Sequence, residues 1–237
     1  YSEHDVPVTF VGHTLADKLP LAPNVQKARE LLNIKENDLV VALLPGSRGS
    51  EVKLLAPDFL AAARLCFEKN AQLKFIIPAA NEKRLEQLKD ILKNFSDLPV
   101  TLMLGQSHDI MCAADAVLMA SGTTTLEAML LKKPMVVAYK FPAISYAILS
   151  RLIKTPFIAL PNILAGKELV PEIIQDAVSP KALADHLMAY FDDPENEFVD
   201  CNENKEFKRN QRTKMNSMII LMKYLKKYTW QDNSSGY

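Results

Sequence analysis

The feature that most constrains this chain is an alternation. From its first residues to about residue 190, short runs rich in Val, Ile and Leu take turns with stretches whose apolar residues recur at helical spacing. A strand covered on both faces reads as a continuous apolar run, and parallel neighbours need a helical crossover between them. The pattern predicts an α/β protein, a Rossmann-like parallel sheet with helices on both faces and further helices at the C-terminus. The expected strands are Val6 to Val11, Leu39 to Leu44, Leu73 to Pro78, Val100 to Leu104, Ala116 to Met119 and Met135 to Tyr139, with a short one near Phe157. The expected helices are Asn24 to Asn33, Val52 to Asn70, Glu82 to Phe95, His108 to Ala113, Thr124 to Leu131 and Ala143 to Ile153. Right-handed crossovers place the carboxyl ends of all the strands on one edge, where the ligands of such sheets bind.

Composition narrows the function classes. With 237 residues and 49% hydrophobic content, the chain can hide roughly 70% of its unfolded surface and needs no staples. Lys plus Arg equals Asp plus Glu at 28 each, which removes the whole-chain electrostatic case for a nucleic-acid binder. Cys66, Cys112 and Cys201 are far apart, without a CxxC pair or metal-ligand spacing to His4, His13, His108 or His186. A reducing compartment and no structural zinc are expected. The longest uncharged apolar stretches, Phe141 to Ser150 and Thr155 to Gly166, are ten and twelve residues, short of the roughly 20 that span a bilayer. Tyr1 to Asp5 lacks a signal-peptide pattern and Met is not first, so a missing N-terminal portion is expected.

Beyond residue 178 the pattern changes. Ser179 and Pro180 open a helix to about Phe191, which Asp192-Asp193-Pro194 ends. Seven acidic and no basic residues lie between Asp185 and Glu203, and eight basic against two acidic follow from Lys205. The expected division is a Rossmann-like domain over 1–204 and a basic C-terminal helix over 205–237. Met218, Leu221, Tyr224, Leu225 and Tyr228 form one apolar face of that helix, with Lys223, Lys226 and Lys227 largely elsewhere. It packs on the body or crosses to the missing portion, and its basic face is a candidate contact for an anionic membrane surface.

Three loops are candidates for chemistry. Pro45-Gly46-Ser47-Arg48-Gly49-Ser50-Glu51 follows a strand and opens a helix, where backbone N–H groups and an Arg fork suit a phosphate. It is neither a Walker loop nor GxGxxG, and Arg48 paired with Glu51 on the surface explains it equally well. Ser121-Gly122-Thr123-Thr124-Thr125-Leu126-Glu127 fits a capping box at Thr124 and Glu127, and also fits a diphosphate at the helix start with Glu127 on a ribose hydroxyl. In the third set, Asn162 with Glu172 and Gln175, the Asn162 amide serves local backbone or reads a base or sugar, local use having the better prior. Lys140 is a surface lysine or a phosphate partner, and His13 is better read as a turn residue than as a general base.

Read in order, FVGHTLAD at Phe10 to Asp17, LLPGSRGSEV at Leu43 to Val52, SGTTTLEAMLLKKPMVVAYK at Ser121 to Lys140 and LPNILAGKELVPEIIQ at Leu160 to Gln175 resemble the bacterial lipid-A-disaccharide synthase family. The resemblance implies a two-domain GT-B glycosyltransferase of which this chain is the C-terminal, donor-binding half. It implies transfer from UDP-2,3-diacylglucosamine to 2,3-diacylglucosamine 1-phosphate with inversion, releasing UDP. Carried over by motif, Arg48 stabilises diphosphate charge, Gly46, Ser47, Ser121, Gly122, Thr123 and Thr124 bind the nucleotide, and Glu127 holds the ribose. Lys140, Asn162, Glu172 and Gln175 are implied near the base or donor sugar. The catalytic base is expected in the missing half, and no metal or other cofactor is implied. Acylated substrates imply a cytoplasmic enzyme, peripheral on the inner face of the membrane in a Gram-negative cell, with self-association left open. A UDP-N-acetylglucosamine 2-epimerase-like enzyme and a non-catalytic nucleotide-binding module are the competing readings.

Overall fold

The computed structural model describes residues 23–141 and 156–192. Along these the order is α1 (Val25–Leu31), β1 (Leu39–Leu44), α2 (Gly49–Lys69), β2 (Leu73–Ala79), α3 (Glu82–Leu92), β3 (Val100–Leu104), α4 (Ser107–Ala113), β4 (Ala116–Ala120), α5 (Thr124–Leu130), β5 (Met135–Tyr139), α6 (Leu160–Ala165), β6 (Glu172–Ile174) and α7 (Pro180–Met188). Short 3-10 turns follow α3 at Lys93–Phe95 and β6 at Gln175–Ala177. The expected strand Val6 to Val11, the expected helix Ala143 to Ile153 and the whole 205–237 segment lie outside the described residues.

The six strands form one parallel sheet in the order β3-β2-β1-β4-β5-β6. Successive strands grow outward from β1 to β3, and then the chain returns to the other side of β1 to lay down β4. This reversal makes the β1/β4 boundary the topological switch point, and the crevice outside the carboxyl ends of those strands is where open α/β sheets bind ligands.

Side-chain alternation along each strand divides the core into two layers. Val41, Leu43, Phe75, Ile77, Leu118 and Val136 face Leu55, Phe59 and Leu60 of α2, Leu88 of α3 and Leu183 and Leu187 of α7. Val40, Ala42, Leu44, Ile76, Val117, Met119, Met135 and Val137 face Ala28 of α1, Ile110 and Met111 of α4 and Leu126 and Met129 of α5. The helices start on short polar caps: Asn24, Asn81 and Ser179 accept from the backbone N–H groups of Lys27, Arg84 and Ala182.

Three expectations need correction at this level. No strand forms at Phe157; the sixth strand is Glu172–Ile174, beside β5, with Val137 opposite Glu172. The third candidate loop, around Asn162, contains α6, and Pro161 sits in its first turn, where a missing N–H costs nothing. The α2 helix also begins three residues earlier than periodicity indicated, because Gly49-Ser50-Glu51 are polar or small and carry no apolar stripe.

Candidate functional site

A cleft of about 560 Å³ opens at the switch point. Its walls include Leu44, Gly46, Ser47 and Arg48 from the end of β1, Ala79 and Ala80 after β2, Gly105 and Ser107 after β3, Ser121 to Thr124 after β4, and Tyr139 at the end of β5. The two small-residue loops singled out from the sequence therefore meet across one cavity, since β1 and β4 are hydrogen-bonded neighbours from Val41 with Ala116 to Leu44 with Met119.

Their internal chemistry differs. In the β1 loop the Glu51 carboxylate accepts from the N–H groups of Ser47 and Arg48, both at 3.2 Å, and from Arg48 Nη1 at 3.3 Å. Gly46, at φ +112°, permits this: a Cβ there would fall 2.5 Å from Glu51 Oε2. Glu51 holds the loop much as a bound anion would. The surface pairing of Arg48 with Glu51 is thus formed, but the Arg48 side chain remains 78% exposed. Exposed pairs of this kind are worth at most about 1 kcal/mol, so the guanidinium can be drawn to a ligand at small cost.

In the β4 loop, Ser121 donates its hydroxyl hydrogen to the Ile158 carbonyl and Thr125 donates to the Gly122 carbonyl. Among the described residues no acceptor takes the N–H groups of Gly122, Thr123 or Thr124. The capping box at Thr124 and Glu127 does not form: the helix cap is Thr123, without a side-chain cap bond. Glu127 lies one turn further on and binds His108 of α4, Oε1 to Nδ1 at 2.8 Å. It is not among the residues of the cleft wall; its partner His108 follows the wall residue Ser107 in the chain. His108 entered the sequence reading as the start of a helix and as a histidine without metal-ligand spacing; nothing in the sequence spacing pairs it with Glu127, 19 residues away.

The third set is engaged by the fold itself. Asn162 is fully buried. Its oxygen accepts from the N–H groups of Leu169 and Val170, and its amide donates to the Val170 carbonyl and to Glu172. No polar atom of Asn162 is left for a base or sugar, and its expected ligand contact is corrected to the local role. Glu172 accepts from Ile158 and Ala159 N–H at 2.8 Å each, clamping the entry of α6 to β6. Gln175 bonds both the N–H and the carbonyl of Phe141. Lys140 is ion-paired with Asp58 of α2 rather than open to the cleft. Neither of the described cysteines is poised for chemistry: burial pushes the Cys66 thiol up to about 12 and raises Cys112 as well. Burial also raises Tyr139 in the cleft wall, and the nearby Glu51 adds to it.

A family model described as lipid-A-disaccharide synthetase matches residues 1–222. The chain belongs to the lipid-A-disaccharide synthetase family. It is 53% identical over 195 residues to the lipid-A-disaccharide synthase of Cellvibrio japonicus, covering 82% of this chain and 51% of that protein. It is likewise 53% identical over 194 residues to the synthase of Saccharophagus degradans, covering 81% and 50%. The chain thus spans about half the length of these relatives. Among solved structures, the C-terminal domain of a group 1 family glycosyl transferase from Francisella tularensis superposes with a TM-score of 0.58 at 16% identity, over 91% of this chain and 98% of that one. A UDP-GlcNAc 2-epimerase from Neisseria meningitidis, bound to UDP-GlcNAc, gives 0.54 at 17% identity over 95% and 58%. The fold of this family member is therefore the parallel α/β fold of GT-B glycosyltransferases.

Proposed function

We propose that this chain supplies the donor-nucleotide site of a hexosyltransferase that joins UDP-2,3-diacylglucosamine to 2,3-diacylglucosamine 1-phosphate, giving lipid A disaccharide 1-phosphate and UDP. The observation that carries this reading is the meeting of the Arg48 loop and the Ser121–Thr124 loop across one cleft at the switch point, in a member of this family. In the proposed reaction the acceptor hydroxyl attacks the donor's anomeric carbon from the face opposite the diphosphate. The bond to the diphosphate oxygen breaks, and the configuration inverts. Negative charge grows on the leaving UDP. The unpaired N–H groups of Gly122, Thr123 and Thr124 and the exposed Arg48 guanidinium are the groups that would meet it, already in place before the charge appears. Gly46 and Ser47 shape the opposite wall. The ribose is assigned to the end of the cleft between Ser107 and Thr124, with Glu127 as the adjacent carboxylate, oriented by His108. The base that takes the acceptor proton is assigned to the portion of the relatives that this chain does not span.

Approach to acylated substrates is proposed to be peripheral, at the inner face of the cytoplasmic membrane. Among the described residues no helix is long and apolar enough to cross a bilayer. The basic residues from Lys205 to Lys227 would add about 1 kcal/mol each near an anionic surface. The epimerase-like reading shares the fold, so fold likeness does not separate it; family membership favours transfer. The test is UDP release by the full-length enzyme with acylated and unacylated UDP-glucosamine donors, with and without acceptor. Release that needs acceptor and acyl chains supports the transferase. Release or epimerisation without acceptor contradicts it, and no turnover with intact UDP binding points to a nucleotide-binding module.

A further inference from the structure

Arg84, on the first turn of α3, has a guanidinium without a counter-ion. Among the described residues it makes no ion pair, and its Nε is buried with no hydrogen-bond partner. A buried, unsatisfied donor on a charged group costs more than one on a neutral group, so its persistence calls for an explanation. Its place supplies one. The guanidinium packs on Gly49, the first residue of α2, which directly follows the cleft-wall residues Ser47 and Arg48 in the chain; Gly49 and Arg84 themselves stand just behind that lining. A Cβ at Gly49 would stand 2.5 Å from Arg84 Nη1, 3.1 Å from Cζ and 3.2 Å from Nη2. Gln87, one turn along α3, donates to the Gly49 carbonyl at 2.9 Å and fixes the two helices at this point. Arg48 meanwhile rests on Glu51, and Lys140 on Asp58. Among the described residues Arg84 is therefore a positive charge beside the β1 loop that no ion pair holds, and an anion bound at the start of α2 would offer it a partner.

We propose that Arg84 is the second cation of the cleft, a residue that binds the diphosphate of the nucleotide together with Arg48. This rests on the reading of the cleft as a diphosphate site. The geometry explains why residue 49 has no side chain: Gly49 leaves room for the guanidinium against the loop.

The test is calorimetric titration of the purified protein with UDP and with uridine, for the wild type, Arg84→Gln, Arg84→Lys and Gly49→Ala, with a melting curve for each. Arg84→Gln removes the charge. Gly49→Ala keeps it but puts a methyl group 2.5 Å from the present place of Nη1, so the guanidinium must shift. Both are expected to weaken UDP binding about tenfold, which corresponds to ~1.4 kcal/mol, and to leave uridine binding unchanged. Arg84→Lys is expected to recover part of the loss, as a point charge without the fork geometry. If the wild type prefers UDP to uridine and Arg84→Gln and Gly49→Ala, both still folded, retain that preference in full, Arg84 has no part in the site and the proposal fails alone. If the wild type itself shows no preference, the diphosphate reading of the cleft fails and the role of Arg84 fails with it.

Discussion

Arg48 and Glu127 were each given two explanations by the sequence, and the structure separates the two cases differently. For Arg48 the surface pairing with Glu51 is formed, yet with the side chain 78% exposed it holds the guanidinium only weakly. Arg48→Gln is therefore expected to leave the melting temperature within about 1 °C of wild type, since surface changes fall within about 0.5 kcal/mol. It is expected to lower kcat/KM of the full-length enzyme by the equivalent of about 2–4 kcal/mol. Steady-state kinetics beside a melting curve checks both halves. For Glu127 the capping explanation lapses, because the helix caps at Thr123 without it. Glu127→Gln is expected to weaken UDP binding while costing less than the roughly 0.5–2 kcal/mol of a lost cap. A denaturant midpoint that falls with UDP affinity unchanged would return Glu127 to a structural role on His108.

At the scale of the elements, the sheet is held at its lower edge by a device that periodicity does not register. Arg29 of α1 donates to the carbonyls of Ala113, Lys35, Glu36 and Asp38 and to both oxygens of Asp115. Asp115 in turn accepts from Val40 N–H at 2.7 Å, tying α1 and the end of α4 to the start of β1. Lys133, its pKa lowered by burial, donates to the Ala114 carbonyl next to it. Arg29→Met leaves these carbonyls and a carboxylate without their donor, and a loss of about 3–5 kcal/mol is expected in chemical denaturation. Sequence reading finds elements by their apolar period, which is why β1, β3 and β5 appear with the ends they have in the structure. It misses α6 and β6 for a physical reason. β6 is three residues long, opens on Glu172, and is held to α6 through the buried Asn162 and the Glu172 carboxylate. Polar residues that carry structure look, in a sequence, like polar residues that carry ligands. The same ambiguity made Asn162, Glu172 and Gln175 candidates for a donor contact, whereas Arg84 lay unmarked because its meaning depends on Gly49, 35 positions away in the chain.

For the whole molecule, the parallel sheet and the edge that carries the loops were both implicit in the alternation of runs, given right-handed crossovers. The meeting of two particular loops was not, because only the reversal at β1 makes β4 its neighbour. Global stability carries a modest acid dependence. Hydrogen bonds from Lys74, Arg64 and Lys181 hold the carboxyls of Asp38, Asp97 and Asp185 below the usual range. Each folded pKa lies under its unfolded value, so the contribution is complete above about pH 4 and lost as pH falls through the folded pKa. Urea midpoints of wild type and Asp97→Asn are expected to differ at pH 7 and to draw together as pH falls below about 4. The proposed membrane approach belongs to the scale of the whole molecule too. Co-sedimentation with anionic vesicles is expected to weaken with salt and when Lys223, Lys226 and Lys227 become Gln, and indifference to both would leave that segment as a solvated surface. The central claim is that the cleft between the Arg48 and Ser121–Thr124 loops holds the diphosphate of a uridine nucleotide. Titration of the protein with UDP, UMP and uridine tests it most directly. The account predicts the tightest binding for UDP, with a loss at each phosphate removed; equal affinity for all three would contradict it.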